Sequence, residues 1–391
     1  MPRSFTVLAA LAGLGVLVAL TLIGLVSLWP RDRTVDRPAG LTQPKTERAE
    51  VVAVARASCR TPGARDCVRV TAELRSGPDE GERTDFTVGD QGNRVDVEVG
   101  DDVRLLRNQL PEGAVLGGVA VEPYALADFE RRAPLGWLAL AFALLVAVTG
   151  RWRGLRALAG LVASLAVVVG FVVPAILDGR SPVGVALVGA LAAMLVTLPL
   201  AHGLGAKTLA AALGTGASLF LTLALAEAFV GLAHLTGLSS DEAVFLRATA
   251  GDVSIQGLLL AGMVIGALGV LDDTTVSQAS TVMQLQRANP RQTFGQLFRG
   301  GLAVGHDHIA ATVNTLVLAY AGASLPVLLI FSLGDVSFGD AINNEAVAEE
   351  IVAMLVGSIG LIAAVPITTA LAAALALRLE PAQLDTHGHA H

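Results

Sequence analysis

Charge is what this sequence has least of. Only 16% of its 391 residues are Asp, Glu, Lys or Arg, against 53% that are hydrophobic, and the mean hydropathy is +0.63. That is too little charge to coat a water-soluble fold, so lipid must be part of the solvent. The net charge of −7 and pI near 5.5 leave no concentrated basic surface to neutralise phosphates, which excludes nucleic acid as a partner. Cysteine is nearly absent, with Cys59 and Cys67 the only two. The nucleotide-binding pattern Gly-x-x-x-x-Gly-Lys-Ser/Thr is missing, so direct drive by ATP would need another subunit.

Long apolar runs fill the space that charge vacates. A bilayer core of about 30 Å takes roughly 20 helical residues. The first run, Ser4 to Trp29, is flanked by Arg3, Arg31 and Arg33 and lacks a small-residue cleavage site, so residues 1–33 read as a retained signal anchor. Further spans follow at Pro134 to Gly150, Leu155 to Leu177, Ser181 to Leu204, Thr208 to Thr236, Val253 to Leu271, Ile309 to Leu333 and Ile351 to Leu377. With the anchor they make about eight. Arg151, Arg153, Arg156, Lys207, Arg287, Arg291, Arg299 and Arg378 fall on one side if both termini are cytoplasmic, and the opposite loops are acidic.

Residues 34–131 are different. Between Glu47 and Glu122 the apolar period is two, as in Val68-Arg69-Val70-Thr71-Ala72, Phe86-Thr87-Val88 and Val95-Asp96-Val97-Glu98-Val99. Ser76-Gly77-Pro78, Asp90-Gln91-Gly92-Asn93 and Gly100-Asp101-Asp102 interrupt these strands as turns. The segment predicts a small barrel-like domain, and its two cysteines predict a disulfide in an oxidising compartment. Residues 132–378 form the seven-helix remainder. Within it, 286–300 read as a turn at Asn289-Pro290 and an amphipathic interfacial helix carrying Phe294, Leu297 and Phe298. The cytoplasmic tail 379–391 alternates His387, His389 and His391 and reads as disordered, with weak metal affinity as the alternative.

Ionisable groups inside spans are costly and usually face a bundle interior or a water path. Asp272 and Asp273 are the only charges between Asp252 and Arg287. Gly262, Gly266, Gly269, Asp273, Ser277 and Ser280 repeat at helical spacing on one face, predicting a close neighbouring helix and an inward Asp273. Adjacent carboxylates in a low dielectric suit proton binding and release; two acids in water at a cytoplasmic helix end is the plain alternative. His306-Asp307-His308 opens a span on the same side, with Asp307 sharing a face with Asn314. Together Asp272, Asp273, His306, Asp307 and His308 could line a proton or cation path or hold a divalent metal ion, although the two histidines point different ways on a helix. Glu227 shares a face with Gly231 and His234 and could act as a relay, while Glu345, Glu349 and Glu350 read as ordinary acids at a helix N-terminus. Pro174, Pro326 and Pro366 could break helices beside a pathway.

The runs Gly266-Ala267-Leu268-Gly269-Val270-Leu271-Asp272-Asp273-Thr274-Thr275, Gly305-His306-Asp307-His308-Ile309, Glu349-Glu350-Ile351-Val352 and Gly357-Ser358-Ile359-Gly360 resemble the YibE/F family of bacterial membrane proteins, from Leu135 to Leu377. That resemblance implies a multi-span architecture and gives little on substrate. The anchor, external β domain and acidic helix are also similar in arrangement to the membrane halves of SecD/SecF and resistance-nodulation-division exporters. There an intramembrane Asp takes part in proton coupling, which implies that role for Asp272 or Asp273. Extra spans and an external domain of only about 75 residues depart from that pattern.

The expected fold is an all-α polytopic bundle in the bacterial cytoplasmic membrane with a small extracytoplasmic β-barrel-like domain. The expected function is a proton- or cation-coupled secondary transporter or exporter of a small solute or ion, non-enzymatic, with room for a homo-oligomer. Asp272, Asp273, Asp307 and Glu227 would couple, and His306, His308, Asn314, Ser277 and Ser280 would line the path. A non-catalytic envelope protein, whose β domain binds a partner, and an intramembrane hydrolase are the alternatives. Single cysteines at positions 90 and 292 should react oppositely with an impermeant thiol reagent applied outside intact cells, 90 labelled and 292 protected. Labelling of both overturns the topology.

Overall fold

The computed structural model describes residues 3–31, 45–59, 67–89, 96–108, 115–116, 119–334 and 336–378. They fall into two compact units, Asp36–Leu145 and the combination of Met1–Val35 with Val146–His391.

The smaller unit is built on strands β1 (Thr46–Arg56), β2 (Val68–Leu74), β3 (Arg83–Val88), β4 (Asp102–Arg107) and β7 (Tyr124–Phe129), with a two-residue ladder of β5 (Val115–Leu116) and β6 (Val119–Ala120). The five longer strands form one antiparallel sheet in the order β3-β2-β1-β4-β7. Alternate residues point inward, as period-two patterning requires: Val70, Ala72 and Leu74 from β2, Phe86 and Val88 from β3, Val103 and Leu105 from β4. The sheet curls. Glu122, just before β7, accepts hydrogen bonds from the Thr87 backbone N at 2.7 Å and the Thr87 hydroxyl at 2.8 Å in β3, drawing the two outer strands together. Of the strand expected at Val95–Val99, the described residues 96–99 form no strand, and Val95 lies outside them. Asp96–Glu98 are irregular and Val97 is buried among the sheet's inner residues, so its alternation reflects one core contact rather than a ladder. The turn expected at Asp90–Asn93 lies outside the described residues.

A polar knot closes the sheet's interior. The Tyr124 hydroxyl lies 2.5 Å from Asp79 Oδ2 and 3.0 Å from Glu47 Oε2, and Arg107 pairs with Asp79 at 3.3 Å. Gly77, at φ +99°, lets the turn press against the Glu47 carboxyl where a Cβ would collide. Burial first, then the hydrogen bonds to the Asp79 and Glu47 carboxylates, push the Tyr124 phenol above its ordinary pKa, so it remains a donor throughout the physiological range.

Cys59 and Cys67 are joined, with Cα atoms 5.3 Å apart. The bridge ties the residues after β1 to the start of β2 and stabilises the unit by about 2–3 kcal/mol in the chain-entropy model. Mass analysis after alkylation without reductant should find both thiols blocked from reagent. Alkylation of both in protein taken directly from the native envelope would exclude the bridge.

The larger unit is helical. Its elements are α1 (Arg3–Leu28), the part of α2 (Arg132–Val167) from Val146 onward, continuing through a π turn at Val168–Val172 into α3 (Val173–Leu177), α4 (Pro182–His202), α5 (Ala206–Leu232), α6 (Asp241–Thr249), α7 (Ile255–Ala288), α8 (Phe294–Ala323), α9 (Leu325–Leu333), α10 (Phe338–Asn343) and α11 (Glu345–Ala376). Among the described residues six helical stretches are long and apolar enough to cross a membrane, or seven if the bent pair α8 and α9 counts as one. The longest, Arg132–Leu177, breaks at Arg151 (φ 49°, ψ −136°), and Gly154 abuts the carbonyl oxygen of Val146, so the chain turns back sharply there.

Local chemistry sets the helix ends. Ser254 caps α7 by accepting from Gly257 N at 3.1 Å, and Pro290 forces Asn289 into extended backbone at the other end. Thr293 and Gln296 form a reciprocal capping box that starts α8. The expected interfacial amphipathic helix is therefore not a separate element. Residues 286–300 comprise the end of α7, the turn and the first turns of α8, which runs unbroken to Ala323 because its apolar edge, Leu297, Gly301 and Gly305, is buried against α7 and α11. Pro326 sits where α8 and α9 bend by 57°, and Pro174 opens α3 after the π turn.

The core of the bundle is α5, α7 and α11, with α4 and α8 packed on it and α1 lying on α4 and α5. The α5 and α11 backbones approach closely at two points. Gly214 abuts the Thr368 hydroxyl and Gly360 abuts the Thr222 hydroxyl, each leaving no room for a Cβ. Gly360→Leu should therefore force α5 and α11 apart and lower the stability of detergent-purified protein by about 1–3 kcal/mol, whereas Gly269→Leu on the open face should change it little. A wild-type unfolding midpoint for Gly360→Leu would refute the close packing.

Candidate functional site

Thr215, Ser218 and Thr222 recur at helical spacing along α5 and are all at most 1% exposed. Opposite them α7 presents Thr274, Thr275 and Gln278, and α11 presents Ser358, Thr368 and Thr369, again buried. The Thr215 and Thr275 hydroxyls meet at 2.6 Å. Gln278 donates to Thr369 Oγ1 and to the Gly301 carbonyl, both at 2.7 Å, because Gly301 and Gly305 let α8 come close to it. These contacts make a polar seam along the bundle axis.

Several members of the seam have no hydrogen-bond partner among the described residues. They are the hydroxyls of Ser218, Thr274, Ser358 and Thr368 and the Oδ1 atom of Asp272, all withdrawn from solvent. Leaving such a group unmade costs about 1–3 kcal/mol, so a run of them in one core marks a place kept for something other than packing. The seam ends at an apolar cluster one turn beyond Thr222, where Ala226 and Val230 of α5 join Leu260 and Met263 of α7 and Val356 of α11. Beyond that cluster Glu349 accepts from Ser239 Oγ at 2.6 Å, and Glu345 accepts from the Thr236 hydroxyl at 2.7 Å and from the backbone N of Thr236 and of Gly237. These acids tie the α5–α6 loop to the N-terminus of α11. At the other end, Lys207 in the first turn of α5 has Arg153 and Arg287 as charged neighbours, and the interaction of His202 with Asp273 lies beside them.

The two adjacent acids divide in the opposite sense to expectation. Gly262, Gly266, Gly269, Asp273 and Ser277 share a face, but that face of α7 is exposed, with Ser280 partly so. No described residue lies within 4 Å of a Cβ built at Gly262 or Gly269. The helix instead buries Ala261, Val264, Ala267, Leu271, Thr274, Thr275 and Gln278, so Asp273 points outward and Asp272 is partly buried with one oxygen turned inward. Small residues signal close approach only when a partner takes that face, and α5 and α11 take the opposite one.

His306, Asp307 and Asn314 are exposed on α8, and His308 is partly buried with Nε2 unpartnered among the described residues. Glu227 is exposed on α5, as are Gly231 and His234. Among the described residues no three His, Cys, Asp or Glu side chains converge as a metal-holding group, so Asp272, Asp273, His306, Asp307 and His308 do not form one. The histidine tail lies outside the described residues. The hydroxyl residues of the seam carry no charge and so give no charge signal in the sequence; their one trace there is the spacing of Thr215, Ser218 and Thr222 at intervals of three and four in an otherwise apolar run.

The larger unit is thus a bundle of helices around a buried polar seam, six or seven of its described helical stretches being long and apolar enough to cross a membrane. Residues 138–378, more than half the chain, match the sequence model of the YibE/F-like proteins, and the chain belongs to that family. Searches of curated proteins and of solved structures each found no match.

Proposed function

We propose that this YibE/F-like protein is a multi-pass transporter of the bacterial cytoplasmic membrane that moves a small solute or ion in exchange for a proton or cation. The observation that carries the reading is the seam of buried, unpartnered polar groups between α5, α7 and α11, stopped by an apolar cluster before the acids at the far end. In a bundle with lipid outside, polar groups gathered inside are the usual lining of a solute path. A polar run closed at one end by packed apolar side chains has the form of a path open to one side at a time.

The reading includes about eight spans. Arg132–Leu177 comprises 46 residues, about 69 Å if straight, which is twice the bilayer core, and it folds back at Arg151. The break then separates two spans, with Arg151 and Arg153 at the cytoplasmic turn as cations prefer. Both termini are cytoplasmic, and the disulfide-bearing β unit lies in the oxidising space outside. We assign the protein no covalent chemistry.

Proteoliposomes loaded with a pH-sensitive dye or with radioactive sodium test the proposal. The wild type should dissipate an imposed proton or sodium gradient. Asp272→Asn should abolish that flux with an unfolding midpoint near the wild type, since the amide is isosteric, and Asp273→Asn should keep most of it. Flux that survives Asp272→Asn but not Asp273→Asn would place the path on the outer face of α7. Wild-type vesicles as tight as empty ones would instead favour an envelope protein whose β unit engages a partner.

A further inference from the structure

We propose that the centre of the seam binds a sodium ion through the Asp272 carboxylate and the hydroxyl oxygens of Thr215, Ser218 and Thr275. The site deepens the transport reading, on which it rests for its role in coupling, but its binding is a separate property.

Register sets the four residues at two successive levels of the α5–α7 packing. Helices α5 and α7 run antiparallel, as the Thr215–Thr275 contact and the pairing of Lys207 with Arg287 as charged neighbours require. Moving from Thr215 to Ser218 in α5 therefore corresponds to moving back from Thr275 to Asp272 in α7, which sets Ser218 at the level of Asp272. Ser218 is 0% exposed and its hydroxyl has no partner among the described residues, and Asp272 Oδ1 at the same level has none among them either. Two solvent-withdrawn oxygens, one of them on a carboxylate, thus lie at one level along the helices, each without a hydrogen-bond partner among the described residues.

The proton inventory leaves lone pairs free. Thr275 donates its single hydroxyl proton to the Asp272 carbonyl oxygen at 3.1 Å, so the proton in the 2.6 Å contact belongs to Thr215. The Thr215 oxygen then keeps both lone pairs, and the Thr275 oxygen one. Oxygen donors of this kind, with no nitrogen or sulfur, suit a hard cation. One carboxylate balances one positive charge, whereas a divalent ion would leave an uncompensated charge in a low dielectric. Thr215 and Thr275 are already in contact, so the space between α5 and α7 favours a small monovalent ion over potassium.

The full-length protein in detergent, unfolded thermally in the chlorides of sodium, potassium or choline at matched ionic strength, tests the site. Sodium should raise the midpoint saturably, potassium less, and choline not at all. Asp272→Asn and Ser218→Ala should each shift the sodium concentration of half-effect by roughly tenfold or more, the loss expected for one ligand to a charged group. Ser218→Ala removes a hydroxyl with no partner, so the fold is retained and the loss reports on the ion. Equal midpoints in sodium and choline, an equal rise in potassium, or wild-type sodium dependence in both variants overturns the site. Proton-driven flux that needs no sodium would overturn the coupling role given to the site and leave the transport reading standing. Saturable sodium binding without any flux would support the site and overturn that reading.

Discussion

The close approach of α5 and α11 is the constraint from which the bundle's other contacts follow. Gly214 against Thr368 and Gly360 against Thr222 lock two antiparallel helices at points two turns apart, which fixes both their spacing and their register. With that pair fixed, α7 can sit across both, and α8 closes over Gln278 through Gly301 and Gly305. Each of these approaches places a hydroxyl or amide where a larger apolar side chain would otherwise fill the gap. The polar seam is thus a direct product of glycine-mediated packing.

That packing has an energetic consequence. Lipid tails offer no hydrogen bonds, so a helix in a membrane ordinarily turns stray hydroxyls back onto its own carbonyls. Thr222 does so with the Ser218 carbonyl oxygen at 2.8 Å, and Thr369 with the Val365 carbonyl oxygen at 2.6 Å. Ser218, Thr274, Ser358 and Thr368 do not. Groups that forgo a local bond in the interior raise the energy of the folded state. The apolar cluster around Val230, Met263 and Val356, held by the same three helices, closes one end of that polar run.

The β unit is stabilised by other means. With a small core it relies on a disulfide and on the Tyr124, Glu47 and Asp79 knot, both of which restrain the curl of the sheet. Among its described residues no buried side-chain polar atom lacks a hydrogen-bond partner, which contrasts with the unmet groups of the helical unit.

The amino-acid sequence alone determined the sites of most long apolar helices, the period-two segment, the disulfide pair and the family, because hydropathy, period and motif spacing are local properties of the chain. Capping residues such as Ser254 and Thr293 likewise carry helix ends in plain view. What it left open was the side of each helix that meets a neighbour. The stripe of Gly262, Gly266, Gly269 and Asp273 is as regular as the faces that do pack, yet it lies open, since a helix with small residues on several sides offers more than one equivalent contact. Only the tertiary structure decided between them. The antiparallel register of α5 with α7 and α11 turned Asp272 inward and Asp273 outward, left Glu227 and Asp307 at the perimeter, and gathered uncharged hydroxyls from three distant segments into one core. Such a site depends on the summed orientation of helices, and no single segment of sequence encodes that sum.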